Sequence, residues 1–486
     1  MKEAQMSEHF DVIVVGSGAG GGVIASELAL SGRKVLLLEA GRHLTSQDFK
    51  RWEVKANHDL YWPMRFAPLP GGDVVAFLSG KAVGGSTTIN TKVALRAHER
   101  DIAKWHAASA LTNEDGQPFS LADLEPFYDR VEKVLTVRER SDWEKSVHTA
   151  QAGFRALGTD IEPVMSYTDA KCMSYGSCLQ GCPTDGGKST MNTYIARALA
   201  EGGLVLRSGV QVQRVIVEDD GRGARATGVE YQAADGSRHP AYARFVVAAA
   251  GALNTSLLLL RSGLKGPAVG RHVGLHPLRL VYGLFDDIQD SHRVYPISAH
   301  CMQHQVDEDG GFVLETSTIM DPVAFGTTIR DERGPLWGLP LIEALRAYRR
   351  WVGVLAMVND ENHGSVGFGP DGQEQIAVDF QPSEHARLDA ALDFSRRVLQ
   401  AAGAKQVCWT GIISTHTQGG CRMGDDPQRS VVDRNGRSHE VQNLYVGDGS
   451  LLPRTLSVNP SLTIMALATR MAMHLEEALA QAPAAG

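Results

Sequence analysis

Long uninterrupted apolar stretches are missing from this chain, and with them the case for a membrane span. No segment of the 486-residue sequence reaches the roughly 18 consecutive apolar residues that a transmembrane helix needs. Cysteine is scarce: 6 residues are too few for a disulfide scaffold. A surplus of positive charge is absent too. Against 48 Lys and Arg stand 56 Asp and Glu, a formal net charge of −8, so nucleic acid is not an expected partner. The opening MKEAQMSEHF lacks a basic segment followed by an apolar one, and no signal peptide is expected. The expected location is the cytoplasm, with export on a partner's signal left open. No internal repeat interrupts the chain, and the closing AQAPAAG reads as a frayed tail.

What is present is an ordinary globular composition, 43% hydrophobic and 21% charged, with length for about two or three domains. DVIVVG (11–16) reads as a buried parallel strand, followed by a Gly-rich turn, a helix over roughly 20–31 and a second strand, KVLLLEA (34–40). Such a unit places its strands side by side through a right-handed crossover. RFVVAAAGA (244–252) precedes a helix in SLLLLRSG, and NLYVGD (443–448) precedes a C-terminal helix over roughly 460–478. Residues 110–170 read as surface helices and loops. GSVGFG and QIAVDF suggest antiparallel strands in a region of different texture. The expected fold is therefore α/β: a doubly wound, Rossmann-like nucleotide-binding domain in three pieces (1–110, 190–275 and 406–486). A helical and loop region with a cysteine cluster occupies 111–189. An α+β substrate domain built on an antiparallel sheet occupies 276–405.

Gly16-Ser17-Gly18-Ala19-Gly20-Gly21 satisfies GxGxxG between a strand and a helix. The first glycine permits the tight turn, the second admits a pyrophosphate to the backbone, and Gly21 packs helix on strand. Glu39 ends the second strand, where a carboxylate can hold a ribose diol. These features do not separate FAD from NAD, and the first segment alone is equally compatible with a nicotinamide-dependent dehydrogenase. A second glycine-rich segment, Gly80-Lys81-Ala82-Val83-Gly84-Gly85-Ser86-Thr87-Thr88-Ile89-Asn90, weighs toward FAD, a long cofactor buried along its length. Read alone, it is also compatible with a structural turn rich in positive-φ positions.

GSGAGG with Glu39, GKAVGGSTTIN, GALNTSLLLLRSG (251–263), HTQGGCRMG (416–424) and NLYVGDGSLLPRTLSVNPSLTIMALATR (443–470) together resemble the glucose–methanol–choline (GMC) oxidoreductase family. The resemblance spans nearly the whole chain. It implies FAD, and it implies that Gly16, Gly18, Ala19, Gly21 and Glu39 hold the ADP half. Gly80, Gly84, Gly85 and Asn90 would border the pyrophosphate and isoalloxazine. Val212 would contact adenine through its backbone, and Asp448 the ribityl or pyrophosphate region. His416 falls on the family's catalytic histidine and Asn459, before Pro460, on its His/Asn partner. The chemistry agrees, because oxidising an alcohol needs a base for the hydroxyl proton, and neutral histidine suits that task. Asn459 also reads as a helix N-cap with Pro460 at the first helical position, which would aim a helix N-terminus at the flavin. A non-catalytic flavin electron-transfer protein is the rival that this His/Asn pair argues against.

Cys172, Cys178 and Cys182, the last followed by Pro183, are clustered as metal or redox cysteines are. Two subgroups of the family resemble this stretch. Membrane-linked sugar and sugar-acid dehydrogenases imply a 3Fe–4S cluster passing electrons to a cytochrome. Long-chain alcohol oxidases, which Lys188-Ser189-Thr190 and GLHPLRLVYGLF (274–285) resemble, imply none. The expected reaction is oxidation of a hydrophobic alcohol to an aldehyde or ketone by a dehydrogenase delivering electrons to a cytochrome, quinone or other acceptor. Alternatives are an oxygen-using oxidase and a sugar or polyol dehydrogenase. Trp337, Leu339 and Leu341 are candidate pocket residues, and PLWGLPLIEALRAYRRWVG (335–353) reads as an amphipathic helix or as a lid or membrane-surface element.

Overall fold

The structure, a computed structural model, describes residues 9–481 except 70, 71, 220 and 222. The β-branched run His9–Val15 forms a strand, and Val35–Glu39 lies parallel beside it, with Val12 opposite Val35 and Val15 opposite Leu38. The crossover between them is the helix Gly21–Leu30, whose small residues Gly21, Gly22, Ala25 and Ser26 are buried and let it lie close to the sheet. Arg238–Ala248 pairs parallel on the other side of the first strand, Leu204–Ser208 lies beyond Val35–Glu39, and Leu444–Val446 joins through Val246–Ala248. Gln211–Asp219 and Ala224–Gln232 add an antiparallel extension, for seven strands in all. Helix Ser461–Gln481 packs on Gly21–Leu30. Covered strands explain the uninterrupted apolar runs: Val12, Ile13, Val14, Leu36 and Leu37 have 0% exposure, each burial worth about 1.5–3 kcal/mol. Residues 1–8 of the opening segment and 482–486 of the expected tail lie outside the described residues.

The second unit is a 12-stranded, mainly antiparallel sheet centred on Leu278–Leu284, flanked by Trp351–Val358 and Gln406–Thr410. Helices Lys145–Ala156 and Pro382–Ala401 pack against it. The architecture is thus the expected α/β domain with an antiparallel second sheet, but the second sheet draws on more of the chain than its texture suggests. Val137–Arg140 and Glu162–Tyr167 contribute strands from the stretch expected to hold only surface helices and loops. The segment 335–353 also differs from expectation. Only Leu339–Arg346 is α-helical, and Trp351–Val358 is a strand with every residue buried. The run WVGVLAMV is rich in β-branched residues, and pairing along its full length outweighs the amphipathic pattern that precedes it.

Two pairings carry the chain into the site. Ile412–Ser414 runs parallel to Val74–Phe77, with Ser414 opposite Phe77. A few residues on, Gln418–Gly420 pairs with Arg271–Gly274 in a separate four-stranded sheet. The bend between these two anchored strands contains His416.

Candidate active site

A long cleft runs from the first glycine turn to this bend. At one end lie Gly16, Gly18, Ala19 and Glu39, with Val212 alongside. Gly80, Gly85 and Asn90 border its middle, together with Asp448. At the far end are His416, Asn459 and Pro460. Gly21 and Gly84 are not among the lining residues. Gly21 sits where helix meets strand, with an added Cβ falling 2.0 Å from the Gly16 carbonyl oxygen. The Gly84 N–H donates to Ser17 Oγ at 2.9 Å, tying the two glycine segments together.

The cleft suits an extended dinucleotide. Gly16 has φ +97°, and a Cβ there would lie 2.3 Å from the Ala249 carbonyl oxygen, so only glycine makes this turn. A Cβ on Gly18 would meet nothing nearer than Gly85 Cα at 4.0 Å; that side faces the cleft. Glu39 is fully buried, and burial raises its pKa above the usual range. Its carboxylate accepts from Ser17 N–H at 3.0 Å, Ser17 Oγ at 2.7 Å and Gly41 N–H at 2.7 Å, which fixes an acceptor at the ribose end. Asp448 does similar work further along. Its Oδ2 accepts from Gly251 N–H at 2.7 Å and Thr255 Oγ1 at 2.6 Å, holding the N-terminus of helix Ala252–Arg261, while Oδ1 accepts from Ser450 N–H at 2.8 Å.

His416 and Asn459 come from different motifs, and Gln418 links them. Its Nε2 donates to the His416 carbonyl at 3.1 Å, and its Oε1 accepts from Leu456 N–H at 3.2 Å. Desolvation lowers the pKa of His416 to about 4, so the imidazole is neutral throughout the neutral range and available as a base. Behind it stands a residue that sequence reasoning did not single out. His276 Nδ1 lies 3.2 Å from His416 Nδ1, with ring centroids 5.2 Å apart. Its exposure is 0% and its φ is +47°. The strained backbone is held by Asp360, whose Oδ2 accepts from the N–H groups of Leu275 and His276. The only sequence signal was the His276-Pro277 pair inside GLHPLRL.

The helix N-terminus also departs from expectation. The first intrahelical bond runs from Ile464 N–H to the Pro460 carbonyl at 3.0 Å, which puts Pro460, not Asn459, at the capping position. Asn459 Oδ1 is buried with no hydrogen-bond partner among the described residues. The side chain is therefore not consumed in capping, and the positive end of Ser461–Gln481 still opens on the cleft through Pro460, Ser461 and Ile464.

The cysteine segment does not form a metal-holding group among the described residues. Among the described residues no group of three or more His, Cys, Asp or Glu side chains is arranged to hold a metal ion, and all six cysteines are free. Cys182 Sγ accepts from Gly187 N–H at 3.2 Å, and burial pushes the Cys178 thiol up to about 12. The protein as purified anaerobically is expected to contain no iron beyond trace, and a Cys172/Cys178/Cys182 triple serine variant should keep its activity. Elemental analysis giving about three irons per chain would restore the 3Fe–4S assignment.

Trp337 and Leu339 are 81% and 61% exposed, and neither they nor Leu341 line the cleft. Apolar side chains of the cleft wall include Trp62, Phe77, Leu78 and Ile464. Phe77 and Leu78 are brought to the bend by the parallel pairing of Ser414 with Phe77, a tertiary contact with no periodic signature in the sequence.

A dinucleotide cleft ending in a half-buried histidine and a buried amide suits a cofactor-dependent oxidoreductase. The GMC oxidoreductase family models match residues 10–278 and 361–468. The chain belongs to that family, and is an FAD-dependent oxidoreductase acting on CH–OH groups. It is 29% identical to a long-chain-alcohol oxidase of Arabidopsis thaliana, over 96% of this chain and 67% of the relative. It is 30% identical to an uncharacterized GMC-type oxidoreductase of Mycobacterium tuberculosis, over 95% of this chain and 75% of that one. Among solved structures, pyridoxine 4-oxidase from Mesorbium loti superposes with a TM-score of 0.73 at 18% identity, covering 96% of this chain and 99% of that chain.

Proposed function

We propose that this protein oxidises a hydrophobic primary or secondary alcohol to the aldehyde or ketone, with His416 as base and Asn459 as its partner. The observation that carries the reading is that both side chains border the same cleft as the two glycine-rich segments. Bound FAD supplies the hydride acceptor. Gly16, Gly18, Ala19 and Glu39 hold its ADP half, with Val212 at the adenine. Gly80, Gly85, Asn90, Asp448 and Pro460 border the remainder, and Gly21 and Gly84 support this wall from behind. At the reacting end, His416 Nε2 takes the hydroxyl proton while Asn459 Nδ2 donates to the same oxygen. Trp62, Phe77 and Leu78 keep water from the carbinol carbon and favour an apolar chain.

For His416 to act as the base, the proton shared with His276 has to rest on His416 Nδ1, leaving Nε2 bare. His276 then serves as the acceptor that selects this tautomer. Dioxygen is the acceptor that the named alcohol-oxidase relative supports. Heat-released cofactor identifies the flavin, and colourless protein that FAD does not reconstitute would end the reading. Peroxide formed in step with a long-chain alcohol supports the oxidase. Turnover with a quinone or dye but not with oxygen supports the dehydrogenase.

A further inference from the structure

The residues that lead into Asn459 are held one by one from different parts of the fold. Three consecutive backbone N–H groups each donate to a side chain. Thr455 N–H donates to Asn362 Oδ1 at 2.9 Å, Leu456 N–H to Gln418 Oε1 at 3.2 Å, and Ser457 N–H to Asp101 Oδ2 at 3.1 Å. Ser457 Oγ is fixed as well, donating to Asp101 Oδ2 at 2.6 Å and accepting from Gln305 Nε2 at 2.8 Å. Of the three acceptors, Gln418 has a second bond that reaches the other reacting residue: its Nε2 donates to the His416 carbonyl at 3.1 Å. Gln418 is 0% exposed, and its strand, Gln418–Gly420, pairs with Arg271–Gly274 so that Gln418 lies opposite Gly274. It does not line the cleft. An apolar side chain of the same size would leave the His416 carbonyl and the Leu456 N–H without this partner. One amide carries both the donor and the acceptor that the two groups need.

We propose that Gln418 is a positioning residue that sets the separation of His416 and Asn459, tying the His416 carbonyl to Leu456 N–H through one amide. The proposal rests on the assignment of His416 and Asn459 above. These two residues sit on separate segments, the bend after Ile412–Ser414 and the approach to helix Ser461–Gln481. Asn362 and Asp101 locate the second segment, but neither has a hydrogen bond to the bend. Gln418 references one segment to the other. The substrate hydroxyl has to meet a base and an amide donor at a single oxygen, so a shift toward one partner does not repair a gap to the other. A misplacement of about 1 Å costs on the order of 10²-fold in rate. Because Gln418 acts through backbone groups on both segments, the side chains of His416 and Asn459 stay out of the tie.

The test compares wild type, Gln418→Met and Gln418→Glu as holoenzymes, with flavin reduction by alcohol as the readout. Gln418→Met keeps the length without the polar tie. It should reduce flavin about 10- to 10²-fold more slowly at saturating alcohol, with little change in KM or in the bound-flavin spectrum. In a His416→Ala background the same substitution should cost far less, because Gln418 works through the base; a packing residue would cost as much in either background. Gln418→Glu supplies a rescue. Its protonated carboxyl donates to the His416 carbonyl and accepts from Leu456 N–H, whereas the carboxylate keeps only the Leu456 bond. Burial raises a carboxyl above its usual ~4.3. This variant should therefore run near the wild-type rate in mild acid and lose rate as pH rises, a limb that wild type lacks. Arg271, His272, His276, Asp360, His416, Arg454 and Asp101, the charged and titratable side chains on the neighbouring segments, are common to both proteins, so the difference between the two profiles isolates the introduced carboxyl. Equal costs of Gln418→Met in the two backgrounds overturn the proposal. So does a Gln418→Glu profile parallel to that of wild type, even where Gln418→Met does not fold. Bleaching at the wild-type rate in His416→Ala overturns instead the assignment on which the proposal rests.

Discussion

Replacing His416 with alanine is expected to slow flavin bleaching by a saturating alcohol about 10²- to 10⁴-fold, the span that a positioned base contributes. The bound-flavin spectrum should stay nearly unchanged, because His416 borders only one end of the cleft. Asn459→Ala should cost less, since a water can replace an amide that only orients the hydroxyl. The pH dependence sharpens the expectation. A histidine in water would put the acid limb near neutrality, but desolvation places His416 at about 4. The rate requires the neutral imidazole, so it should fall as pH drops through about 4, and this limb should vanish in His416→Ala. The same depression acts on stability. Between 6.5 and about 4 the unfolded chain binds the proton and the folded chain does not, so stability falls as pH is lowered through this window. Urea titrations at several pH values should show a shallower loss in the variant. Stopped-flow bleaching at the wild-type rate in His416→Ala would remove the base from this account.

Local chemistry made much of this site legible in the sequence. The strand–turn–helix around Gly16–Gly21 and the acid at Glu39 announce themselves because backbone geometry and residue type are locked together within a short span. HTQGG and SVNPS stand out as motifs, but their juxtaposition depends on Gln418 bonding the His416 carbonyl and Leu456 N–H, which no linear pattern encodes. His276 was missed because it is a lone histidine before a proline, with function conferred only by a ring from residue 416. The pocket walls went astray because Trp337 and Leu339 look like liners by composition, whereas the helix that carries Leu339 lies outside the cleft.

The cysteine segment shows a limit of another kind. Spacing and resemblance made Cys172, Cys178 and Cys182 candidates for cluster ligands, yet ligation also needs side chains that converge on one point, and no such group is found among the described residues. Here Lys92, with 1% exposure, sits among these thiols and donates through Nζ to the Thr87 carbonyl at 2.5 Å. Burial lowers that ammonium to about 8, which still leaves it protonated at neutral pH, while it raises the Cys178 thiol to about 12. Through its bond to the Thr87 carbonyl, Lys92 braces the glycine-rich segment Gly80–Asn90.

His276→Ala is expected to lower the rate of flavin reduction about 10- to 10²-fold, the usual consequence of removing the group that orients a functional imidazole. The argument is one of tautomers. Two neutral imidazoles 3.2 Å apart through Nδ1 share one proton, and only the arrangement with that proton on His416 leaves His416 Nε2 free to take another. Without His276, the His416 ring is free to rotate and to place its proton on Nε2, where it blocks the substrate hydroxyl. KM should change little, because His276 is fully buried and is not among the cleft residues. The loss should therefore appear in the limiting rate. His276→Asn offers a carbonyl acceptor to the same Nδ1–H and should recover part of the rate, whereas His276→Leu, filling the space without an acceptor, should not. The backbone must be controlled for, since φ at this position is +47°, a conformation asparagine tolerates better than leucine or alanine. Thermal denaturation of each variant separates that strain from the effect on His416. If His276→Asn and His276→Leu are equally slow at equal stability, the tautomer argument fails and His276 is only a packing residue.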